Sequence, residues 1–133
     1  MTTEVEKKSR GKAEGEFAQT RGKVWLWIGV LTAPLAFLLH LEVNYALVTQ
    51  LCQSTHKLSM HLVTFLFLLI AAVGGFIAWR NWEASGRKWP GEAGSVLERS
   101  RFMAVVGLLI SILVVLGLIA QWIPQFIFDP CQR

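Results

Sequence analysis

The chain lacks the local signatures of most enzyme chemistry. It has no glycine-rich phosphate loop, no nucleophile beside an evident base and no pair of Glu-x-x-His segments. Those absences remove nucleotide hydrolysis, covalent catalysis and a di-metal helical site from the readings the sequence supports. Cysteine is limited to Cys52 and Cys131, and there are only four prolines and one tyrosine. No internal repeat is present. The long apolar blocks show none of the strict alternation of a membrane strand, so a lipid-embedded barrel is excluded. Charge is scarce within those blocks. From Val24 to Trp79 the only Asp, Glu, Lys or Arg residues are Glu42 and Lys57, and Phe102 to Phe128 contains none.

What is present is apolar length. Of the 133 residues, 53% are hydrophobic, and they gather in three blocks at 24–51, 58–79 and 102–123. About 20 mostly apolar residues cross a hydrocarbon core, and each block supplies that length. A backbone in lipid must satisfy its own hydrogen bonds, so each block is expected to be a helix. The predicted fold is an all-α integral membrane protein with three transmembrane helices. Residues 1–23 form a basic tail, 24–133 the membrane domain, and 80–101 the loop between the second and third spans.

The basic residues give this arrangement a direction. Lys7, Lys8, Arg10, Lys12, Arg21 and Lys23 precede the first span, and Arg80, Arg87, Lys88, Arg99 and Arg101 lie between the second and third. The other side carries only Lys57 and Arg133. Basic residues accumulate on the cytoplasmic side, so the N-terminus is predicted inside and the C-terminus outside. Trp25, Trp27, Trp79, Trp82 and Phe102 mark the inner boundary, and Tyr45, Trp122, Phe126 and Phe128 the outer one, where amphipathic rings settle at headgroup level. The net charge of +4 therefore reads as attraction to anionic lipid rather than to nucleic acid. The tail also carries Glu4, Glu6, Glu14 and Glu16, unlike a cleavable leader, and its first part, through about Gly15, reads as flexible. Gly86, Pro90, Gly91 and Gly94 break the helical pattern in the loop.

Small residues recur at helical spacing: Ala71 with Gly75, Gly74 with Ala78, and Gly107 with Ser111. In lipid such positions let helices approach closely, either within the chain or against a partner. Pro34 is a candidate kink that neighbouring packing can absorb.

Polar residues punctuate the outer half of the first span: His40, Glu42, Asn44 and Gln50. Helical phase puts His40 and Asn44 on one face and Glu42 nearly opposite. Glu42 lies roughly 27 Å along from Val24, near the outer edge of the core, which favours an interfacial or structural role. Two histidines invite comparison with axial haem ligands. A turn near Gln53 to Thr55 would put His61 level with about position 48, roughly 12 Å from His40, and so argues against haem. Cys52 and Cys131 both fall on the predicted outer face. A disulfide between them, closing the outer ends of the bundle, is the first reading. A soft-metal site of Cys52, His56, His61 and Cys131 is the second. No cofactor and no catalytic residue are expected.

Leu31-Thr32-Ala33-Pro34, Glu42-Val43-Asn44-Tyr45-Ala46-Leu47, Cys52, His61, Gln121 and Asp129-Pro130-Cys131 together carry a resemblance. The chain resembles small three-helix bacterial membrane proteins encoded beside haem-copper cytochrome oxidase subunits and their assembly factors. Position 42 is a departure, because such proteins often hold Gln there. The resemblance implies an inner-membrane location, a respiratory setting and larger membrane subunits as partners. The expected function is that of a non-catalytic accessory or assembly subunit. The alternative is handling of copper or haem on the outer face during oxidase maturation.

Overall fold

The computed structural model describes residues 2–51, 53, 58–92 and 94–128. Among them the chain is wholly helical, with α1 at Thr2–Ala18, α2 at Thr20–Leu51, α3 at Leu58–Ala84 and α4 at Val96–Ile127. The last three are each long and apolar enough to cross a bilayer, the architecture of a multi-pass membrane protein. They pack pairwise into one bundle, and α1 lies against α2 and α4 at its basic end.

α2 and α4 have 32 residues each and α3 has 27. At about 1.5 Å per residue all three exceed a core of roughly 30 Å. Much of the surplus lies at the basic end. There α3 continues past Arg80 to Ala84, and α4 begins at Val96, so the expected 80–101 loop is much shorter. Gly86, Arg87 and Gly94 take left-handed backbone angles in that turn, a conformation that glycine adopts without penalty. The Ser95 hydroxyl then caps α4 by accepting from the Glu98 N–H at 3.3 Å, an N-cap that satisfies one of the free donors of the first turn.

The amino-terminal segment differs from its sequence expectation. Rather than remaining flexible it forms α1, which Phe17 ties into a small core with Leu26, Leu97 and Ala104. Burying that ring contributes about 1.5–3 kcal/mol. Gly22 sits at the α1–α2 corner, where an added side chain would collide with the backbone of Glu16 and Phe17. Lys88 donates to Glu6 across 2.5 Å and pins α1 to the turn.

α2 runs unbroken through Pro34. Two residues before that proline, the Thr32 hydroxyl donates to the Ile28 carbonyl at 2.6 Å. Gly29, Ala78 and Gly107 bring the three long helices into close contact. A methyl group at Gly107 would lie 3.2 Å from the Gly29 carbonyl oxygen and 3.4 Å from the Ala78 Cβ. Gly74 faces Thr32 and Ala33, and Gly75 faces Ser111. Ala71, Ala78 and Ser111 are buried. These small residues therefore face one another inside the chain.

Candidate functional site: a buried polar tier and an outward carboxylate

In the half of α2 away from the basic end, His40 faces the bundle interior, where it is wholly buried. The opposing residue on α3 is Thr64, also wholly buried. His40 Nε2 lies 3.1 Å from Thr64 Oγ1 and 2.9 Å from Asn44 Nδ2, one helical turn along. A proton on Nδ1 suits this arrangement. Nε2 then accepts from the Asn44 amide and from the Thr64 hydroxyl, whose single proton is shared with the Met60 carbonyl at 3.0 Å. Gln125 Oε1 is also within reach of that hydroxyl, at 3.4 Å, which brings α4 into the tier. Gln121 of the same helix stands beside His40.

Polar groups in a membrane interior are costly unless they find partners. His40 and Thr64 have them. Asn44 Oδ1 and Gln121 Oε1 do not: both are buried acceptors without a hydrogen-bond partner among the described residues. The tier is therefore short of donors.

Further from the basic end a second cross-helix contact takes over. Trp122 Nε1–H donates to His61 Nδ1 at 3.0 Å, and Phe126 stacks on the same imidazole with centroids 4.7 Å apart. Thr64 and Phe67 of α3 both meet His40, and Ala78 meets Gly29 nearer the basic end, contacts in keeping with the α2–α3 register expected of a turn near Gln53 to Thr55. His61 lies three residues before Thr64 on α3, about one helical turn along. Its Nδ1 and ring face are taken up by α4, however, while His40 is held by Thr64 and Asn44.

Glu42 has the opposite fate. It is exposed on the outside of the bundle, on a stripe with Leu31, Leu35, Leu38 and Tyr45 that repeats every three or four residues. All four neighbours are exposed, Tyr45 to 78%. Among the described residues no cation pairs with Glu42. It lies nine residues before the end of α2, roughly 14 Å below that end.

Of the other sequence candidates, Cys52, His56 and Cys131 lie outside the described residues, as does the expected disulfide. Among the described residues no group of three His, Cys, Asp or Glu side chains converges as a metal site would require. Several structural residues had gone unremarked. Gly29 and Ala33 share the four-residue spacing seen in the other helices. Ser95-Val96-Leu97-Glu98 has the pattern of a capping box, although the Glu98 carboxylate accepts from the Gly91 N–H instead, at 2.5 Å. Arg101, counted in the sequence among the basic residues between the second and third spans, is 8% exposed. It donates to the Ser85 carbonyl at 2.8 Å and to Glu98 at 2.7 Å. Thr64 and Gln125 carried no sequence signal beyond their polarity.

Comparison with protein-family models, curated proteins and solved structures finds no match to this chain.

Proposed function

We propose that this chain is a small, non-catalytic accessory or assembly subunit of a membrane respiratory complex, docking a larger subunit through the outward face of α2. The observation that carries the proposal is Glu42. A carboxylate on the lipid-facing side of a bundle is unfavourable by several kcal/mol unless a donor or cation meets it. This chain supplies none among its described residues. A partner helix with a basic or hydrogen-bonding side chain at that level would satisfy it. The Leu31, Leu35, Leu38 and Tyr45 positions would supply van der Waals packing along the same seam. The interior polar tier suits this role, because it holds the bundle in one register and keeps α2 rigid.

The respiratory setting rests on the resemblance to proteins encoded beside haem-copper oxidase subunits. The basic end of the bundle is taken as cytoplasmic from the distribution of Lys and Arg. The membrane is then a bacterial inner membrane, and Glu42 lies toward its outer face.

The test is purification from native membranes in a mild detergent through an N-terminal tag, with mass spectrometry of what remains bound. Wild-type protein is expected to recover respiratory subunits in stoichiometric amount. Glu42→Leu is expected to lose most of them while keeping its helical circular dichroism, and Glu42→Gln to lose fewer. Recovery of the wild-type chain alone would overturn the reading. Equal recovery with Glu42→Leu would remove α2 as the docking face.

A further inference from the structure

At the basic end of the bundle the α1–α2 corner stands away from the start of α4 and leaves a cavity of about 310 Å³. Its walls have two kinds of surface. Phe17, Leu26, Trp27 and Met103 give it an apolar side, and Lys23 and Arg99 stand at it as cations. Both basic side chains are exposed. Among the described residues neither has a carboxylate partner. Glu98, the residue before Arg99, turns away toward Gly91 and Arg101. The charge at this site is therefore left without an internal counterion, beside an apolar wall at the membrane boundary.

We infer that this cavity is a binding site for one anionic phospholipid. The phosphate would lie between Lys23 and Arg99, whose guanidinium can engage two phosphate oxygens at once. The first acyl carbons would run over Leu26, Trp27 and Met103, with the indole at headgroup level, where tryptophan settles. The cavity depends on the corner. Phe17 is drawn into the core and Gly22 admits the close backbone approach, so α1 forms a wall of the site. A bound lipid would in turn hold α1 against the bundle. This site is separate from the Glu42 face and does not depend on the proposed partner.

Native mass spectrometry of the purified full chain, titrated with phosphatidylglycerol or phosphatidylcholine, tests the inference. Wild-type protein is expected to retain one phosphatidylglycerol in preference to phosphatidylcholine. The Lys23→Gln/Arg99→Gln double variant should weaken that binding roughly thirtyfold, because each basic side chain near an anionic surface is worth about a fivefold factor. Lys8→Gln/Lys12→Gln removes the same charge elsewhere and should leave retention unchanged. Equal losses in the two double variants would overturn the site in favour of diffuse attraction. So would equal retention of the two lipids. Thermal stabilisation by inorganic phosphate matching that by phosphatidylglycerol would show a phosphate site with no use for the acyl chains, and would also overturn it. Circular dichroism of each variant separates lost binding from lost folding.

Discussion

His40 on α2 and Thr64 on α3 meet at 3.1 Å with both side chains wholly buried, a polar contact inside a largely apolar bundle. Hydrogen bonds between membrane helices contribute modestly, because polar groups of separated helices find other partners. A double-mutant cycle with His40→Leu and Thr64→Val is expected to give a coupling of about 0.6–1.7 kcal/mol. Equilibrium unfolding in mixed micelles measures it. A coupling indistinguishable from zero would mean that the pair is adjacent without being bonded.

Gly74 and Gly117 should respond oppositely to an added methyl group. At Gly74 the new Cβ would sit 3.0 Å from the Thr32 Cβ and 3.1 Å from its Cγ2. At Gly117 the nearest atom is Phe37 Cε2 at 3.5 Å, an ordinary contact. Gly74→Val is expected to destabilise the bundle by about 1–3 kcal/mol through overpacking. Gly117→Ala should be neutral or stabilising, since alanine favours a helix by up to about 1 kcal/mol over glycine. The same unfolding assay decides both, and an unchanged Gly74→Val protein would contradict the packing described.

Acid should loosen α1. The hydrogen bond from Lys88, and then its charge, hold the Glu6 carboxyl below its ordinary value of 4.5. A depressed carboxylate pKa contributes stability that is present above the unfolded value and disappears as pH falls through the folded one. The pair is exposed, so its contribution is small and screened by salt. Hydrogen exchange in α1, corrected for intrinsic pH dependence, is expected to quicken as pH falls below 4.5 in wild type. In Glu6→Gln exchange should already be faster at neutral pH, and this acid-dependent component should be absent. Identical profiles for the two proteins would show that the ion pair does not hold α1.

The sequence by itself determined much of this architecture. Three apolar blocks separated by charge admit only helices in lipid, because no other unbarrelled backbone satisfies its own donors and acceptors there. Periodicity within α2 was also sufficient to separate His40 and Asn44 from Glu42, since residues four apart share a face and residues two apart do not. What one helix's periodicity cannot convey is the vertical offset of its neighbour. A turn assumed near Gln53 to Thr55 set His61 level with about position 48. Only the packed helices show which side chains meet: Thr64 reaches His40, and Gly29, Ala78 and Gly107 bring the three backbones together. The charged tail shows the same division. Its composition reads as flexible, and its helix is held by the remote partners Leu26, Leu97 and Lys88. Tertiary structure decided those points because register and docking depend on side chains far apart in the chain, where local pattern carries no information about distance.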